Sequence, residues 1–346
     1  MTSVLNREAG PRRLISIVLV GPTMVWLVSA LTGPIAAAQT LDGVYNASYA
    51  AEMLSEARLQ QHAGKNSTAR TILLEALSKA PESPTLLDAL GSVQQDLGEY
   101  LGAEDTYVHA LAAAARTSGD VERIVILNNL GTLYLDTGQY AKGQWVRAQL
   151  EKVPSGIFEN HPVAAALLLN VVASLEHARN KDDNAVRYYG QALVLLRQAQ
   201  GPVSADAAAV ESNLGFLQFE LGHYQAAKEF LRHSILEMES ALGRNDAALI
   251  QPLVNLARCE SLTGDSYKAE VLARRAVEIS IKIFGEWHPS TAVAMLEQAS
   301  ALRKLRRTRE ARKLEKQAHL ALRTPSAAPL SRYTVGFRQL AERTRQ

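Results

Sequence analysis

The side chains in this sequence that could do covalent or metal chemistry are thinly spread. Two of the eight histidines stand in His-Pro pairs, His161-Pro162 and Trp287-His288-Pro289. A metal site on a helix needs a second ligand three or four residues on, and neither histidine has one. Proline in a first helical turn fixes the start of the helix, so both pairs read as helix starts. Cys259 is the single cysteine. It can form no intramolecular disulfide and no cysteine-built metal site, and within a helix it reads as a small buried hydrophobe. No His-Glu-x-x-His, Gly-x-Ser-x-Gly or phosphate-loop glycine motif occurs, and the carboxylates are scattered. The sequence predicts no catalytic residue, no metal ligand set and no cofactor.

Asparagine is what recurs. Asn129, Asn213 and Asn255 occupy one column of an internal repeat, with Asn128 and Asn170 one place earlier in theirs. An asparagine side chain donates and accepts together, which suits pairing with the backbone of a bound peptide. The same chemistry suits a bond to the adjacent repeat, and both alternatives stand. Phe216, Phe219 and His177 fall on or near the same face by the same register. Exposed aromatics there would anchor a partner, and core packing is the alternative for the two phenylalanines.

The elements that position these residues follow from three columns of small residues. The first runs Ala57, Gly91, Gly131, Ala173, Gly215, Ala257 and Ala299. Twelve residues after each stand Ala69, Ala103, Gly143, Ala185, Ala227, Ala269 and Ala311. Seven further on are Ala76, Ala110, Leu150, Ala192, Ser234, Ala276 and Ala318, with Leu150 the one bulky exception. A spacing of seven is two turns along one helix face, so the columns mark where a helix A and a helix B approach closely. Between them Gly64, Gly98, Gly138, Gly222 and Gly264 suit the left-handed position that ends a helix, with Asn180 and Arg306 in their place in the fourth and seventh units.

Leu90-Gly91 with Ala103, Tyr107 and Ala110, and Asn129-Leu130-Gly131 with Tyr134, resemble the tetratricopeptide repeat. The 42-residue period, Asn128-Asn129-Leu130-Gly131, Asn213-Leu214-Gly215, Asn255-Leu256-Ala257 and Phe284-Gly285-Glu286-Trp287-His288-Pro289 resemble its kinesin light chain subtype. The tryptophan expected early in helix A is absent; Met53, Leu87 and Leu127 hold that column. The resemblance implies an all-α, right-handed superhelical solenoid of about seven helix pairs over residues 49–323, binding a protein or peptide on its concave face. The extra eight residues per unit would lengthen the helices or the linkers.

The ends carry their own signals. Arg7, Arg12 and Arg13, the apolar run Leu14–Leu31 and Ala36-Ala37-Ala38 follow the order of a signal peptide over residues 1–38. They predict a periplasmic or secreted protein. An uncleaved run would instead give a membrane-tethered adaptor or assembly factor facing outward. Residues 301–346 hold 13 Lys/Arg against 3 Asp/Glu, while residues 41–300 hold 21 against 31. The basic end reads as a solvated cap on the last repeat, or as a contact for an acidic partner or anionic membrane surface. Export argues against nucleic acid. Residues 324–346, with Pro325 and Pro329, read as a linker and mobile tail. A structural spacer, or an accessory part of an enzyme, remains a rival to the protein-binding scaffold.

Overall fold

The structure, a computed structural model, describes residues 41–62, 65–116 and 120–323. Among them are fifteen α-helices and no strand. The leader and the C-terminal tail predicted above, and Gly64, lie outside the described residues.

Fourteen of the helices form seven antiparallel A/B pairs. The first three are α1 (Leu41–His62) with α2 (Asn66–Lys79), α3 (Pro84–Asp96) with α4 (Tyr100–Arg116), and α5 (Asp120–Thr137) with α6 (Gly143–Leu150). A short helix α7 (Ser155–Asn160) follows. The remaining pairs are α8 (Pro162–Ala178) with α9 (Asp182–Gln200), α10 (Ala205–Glu220) with α11 (Tyr224–Leu242), α12 (Ile250–Leu262) with α13 (Ser266–Phe284), and α14 (Pro289–Lys304) with α15 (Thr308–Arg323). The extra residues per unit go into helix B in the fourth to sixth pairs, where α9, α11 and α13 each have 19 residues. In the third pair helix B has only 8, and the length goes into α7 instead.

All three small-residue columns are buried along their whole length. A Cβ added to Gly131 would stand 2.5 Å from Val171 Cγ1, and one on Gly215 would stand 2.8 Å from Leu231 Cγ. Such separations lie inside van der Waals contact, so these positions fix how closely neighbouring helices pack. Pro84, Pro162 and Pro289 each open a helix A, as the two His-Pro pairs predict for α8 and α14. His288 also caps α14, its Nδ1 accepting from the Ser290 N–H at 3.2 Å.

The A-to-B turn repeats one hydrogen bond seven times. Lys65, Glu99, Gln139, Lys181, His223, Asp265 and Arg307 each donate a backbone N–H to the carbonyl five residues back, at 2.8–2.9 Å. This is the six-to-one bond of the Schellman motif, which needs a left-handed residue just before the donor. Gly98, Gly138, Gly222 and Gly264 supply it with positive φ, and Asn180 (φ 58°) and Arg306 (φ 60°) do so without being glycine.

Successive A helices pack on one another, α1 on α3 and onward to α12 on α14, whereas successive B helices meet at most marginally. The A layer is therefore the inner, tighter one. Near the middle of the stack, α8 packs against α5, α6, α7 and α9 and is buried continuously from Ala164 to Glu176.

Candidate partner-binding face

The A layer carries the polar residues that the sequence singles out, and they lie in its seams. Asn129 donates Nδ2–H to Asp88 Oδ1 at 2.9 Å, from α5 to α3. Asn128 donates to Asn129 Oδ1 at 3.3 Å. Asn213 donates Nδ2–H to Asn170 Oδ1 at 2.9 Å, from α10 to α8. Asn255 accepts from Gln251 within α12 at 3.0 Å. Asn128, Asn129, Asn170 and Asn255 are buried and Asn213 is half-buried. For Asn129 and Asn213 the geometry is that of the inter-repeat bond, and each reaches back one repeat. Asn170 keeps an Nδ2 with no acceptor.

Asp88 on this face is a perturbed acid. Burial pushes its carboxyl up to about 6, against the opposing pull of the Asn129 hydrogen bond and the Arg58 charge. Burial in turn lowers the Arg58 guanidinium from its ordinary value. The two line a water-sized hollow with Glu122 and Ile126.

The aromatic residues come together. His177 meets Phe216 edge-on, ring centroids 6.1 Å apart, and Phe216 stacks on Phe219 at 6.3 Å. Phe219 continues to Tyr224 at 5.8 Å. Phe216 is buried, while His177, Phe219 and Tyr224 are half-buried, so the row surfaces at both ends. His177 Nδ1 lies 2.7 Å from Asp182 Oδ1, which fixes the ring. The row crosses from the fourth pair to the fifth.

The structure joins His177 and Phe219 to a further column on this face. Four residues after each small residue of helix A stand Gln61, Gln95, Leu135, His177, Phe219, Ser261 and Arg303. Gln61 bonds Asp96 at 2.8 Å and Gln95 bonds Asp136 at 2.6 Å, each across one repeat. At the far end Arg258 pairs with Glu297 at 2.9 Å, and Lys304 donates to the Ser261 carbonyl at 2.7 Å. The column thus runs from glutamines, through aromatic rings, to an arginine. Its signal in the sequence was the one-turn offset from the small-residue column. Cys259, behind the face, is fully buried and its thiol is pushed up to about 12, which removes it as a nucleophile.

Comparison with known proteins agrees with this architecture. A tetratricopeptide repeat family model matches residues 163–235 and 240–322, the fourth to seventh pairs. The clustered mitochondria protein homolog of Ajellomyces capsulatus is 27% identical over 123 residues, 36% of this chain and 10% of that protein. The chain therefore spans about a tenth of the length of the curated relatives it matches. The apo form of RapI superposes with a TM-score of 0.59 at 11% identity, over 79% of this chain and 97% of that one. The kinesin light chain TPR-like repeats of Podosopora anserina give a TM-score of 0.47 at 21% identity, over 59% and 98%. The fold is an all-α tetratricopeptide-type solenoid.

Proposed function

We propose that the chain is an exported scaffold that holds a segment of a partner protein across its A-helix face. Tetratricopeptide repeats are protein-interaction modules, and this stack grades in chemistry along the face that such modules present. The observation that carries the reading is the row His177–Phe216–Phe219–Tyr224, a partly open aromatic strip between two repeats. Rings of this kind bury large area on binding at little entropic cost. The partner's acidic end would meet the A helix of the basic last pair, where Arg303 and Lys304 of α14 are exposed. Export rests on Arg7, Arg12, Arg13, Leu14–Leu31 and Ala36-Ala37-Ala38. The length of Leu14–Leu31 favours one second reading, an uncleaved anchor holding the same scaffold at a membrane.

A photo-crosslinking residue placed at 219, and in a separate protein at 320, an exposed position of α15, tests the reading in the native host. The proposal expects one discrete adduct from position 219 and none from 320, on a chain whose N-terminus is Gln39 or a near neighbour. Adducts from 320 alone would place the partner elsewhere. Met1 retained on a membrane-bound chain would select the anchored form.

A further inference from the structure

Three side chains outside the A face converge where the fourth and fifth repeats meet. Glu211 lies on α10, and His233 and Glu237 lie one turn apart on α11. One ligand atom from each falls within 4.8 Å of the others. His233 Nδ1 touches Glu211 Oε2 and stands 3.9 Å from Glu237 Oε2. We propose that Glu211, His233 and Glu237 bind a single divalent transition-metal ion, Zn²⁺ in its simplest form.

Charge is the first reason. Both carboxylates are buried, and one guanidinium, Arg197, answers the pair of them. One negative charge is left over, and a buried uncompensated charge is costly. A metal ion held between His233 and the two carboxylates cancels it.

Preorganisation is the second. Arg197 Nη2 donates to Glu211 Oε1 and to Glu237 Oε2, both at 2.7 Å, and its Nη1 donates to the Pro202 carbonyl at 2.7 Å. The Ser204 N–H donates to Glu237 Oε1 at 2.5 Å. These contacts aim the carboxylates, as outer partners of metal ligands do. Ligand bonds of about 2.1 Å in a tetrahedron hold the donor atoms roughly 3.4 Å apart, so the trio needs only a small adjustment.

Access is the third. The His233 side chain is 62% exposed, which leaves an open side for entry and for water to complete the coordination. One imidazole nitrogen with two carboxylate oxygens suits Zn²⁺ and its neighbours rather than Mg²⁺ or Ca²⁺, which take oxygen alone. The ion would tie α10 to α11 and, through Arg197, both to α9. Phe216 and Phe219 stand on that same α10, so the metal would stiffen the junction that carries the aromatic row.

The test is calorimetric titration of the purified, chelator-treated full chain with ZnCl₂, with thermal melts alongside. One equivalent should bind and raise Tm, and MgCl₂ should do neither. His233→Ala removes an exposed ring and should stay folded while losing the bound equivalent and the Tm shift. Glu211→Gln should weaken binding at least tenfold. No saturable binding by the wild type, or undiminished binding by His233→Ala, would show instead that the trio is a polar strut within the stack and holds no metal.

Discussion

Asp88 and Asn129 make one pair across a helix seam, and pH separates their contributions. The Asp88 carboxyl sits at about 6 against an ordinary 3.8, with burial as the main cause. The unfolded chain therefore releases this proton at lower pH than the folded one. Stability from Asp88 is fully present below about 4, is lost as pH rises to about 6, and is constant above. At 1.36 kcal/mol per pKa unit the loss is on the order of 2–3 kcal/mol. Denaturant unfolding of wild type and Asp88→Asn from pH 4 to pH 7 should show the wild type losing ground across that window. A difference that stays flat would mean the carboxyl is not desolvated as placed. Asn129→Ala should cost about 1–3 kcal/mol, more at pH 7 than at pH 4, because the charged form is the one that needs the donor. The asparagines were legible as a column, but not their direction. Asn129 and Asn213 bond partners 41 and 43 residues away, one repeat back, and a turn about the side chain separates that from pointing outward. The small columns were legible in full, because a backbone approach of the kind Gly131 makes to Val171 admits nothing larger.

The turns and helix lengths divide in the same way. Asn180 and Arg306 were readable as stand-ins for glycine because the helix must stop there whatever residue is present, and both have positive φ. Asparagine adopts that conformation at small cost and arginine at a larger one, so Arg306→Gly should raise stability by about 1 kcal/mol. Gly243 ends helix B of the fifth pair at φ 92° and ψ 163°, a region closed to side chains, as Gly201 and Gly285 do one period either side. Gly243→Ala should therefore cost about 1–3 kcal/mol. Chemical denaturation of the two variants checks both signs, and a stabilising Gly243→Ala would mean the helix ends differently. The insertion of α7 and the shortening of α6 were not legible. The columns keep their spacing through the third repeat, and the one deviation, bulky Leu150 at the end of α6, does not say where the extra length goes. The Glu211–His233–Glu237 trio escaped for a related reason. His233 and Glu237 are four apart and could have been paired by spacing, but Arg197 and Glu211 come from other helices.

Across the whole molecule the chemistry of the A face changes along the stack. Asp88, Asp96 and Asp136 mark one end, the aromatic row the middle, and Arg303 with Lys304 the other. Most of the polar groups in the seams are matched within the stack, and the half-buried rings are the groups left to offer area to a partner. The central claim is that a partner protein binds here, through Phe219. It is tested by titrating the partner recovered from position 219 against wild type, Phe219→Ala and Asn213→Ala, below the melting transition of each. Phe219→Ala should weaken binding at least tenfold, or about 1.4 kcal/mol or more. Asn213→Ala should lower Tm, because it leaves the buried Asn170 oxygen without its donor, and should leave affinity in the folded fraction unchanged. Wild-type affinity in folded Phe219→Ala would contradict the account.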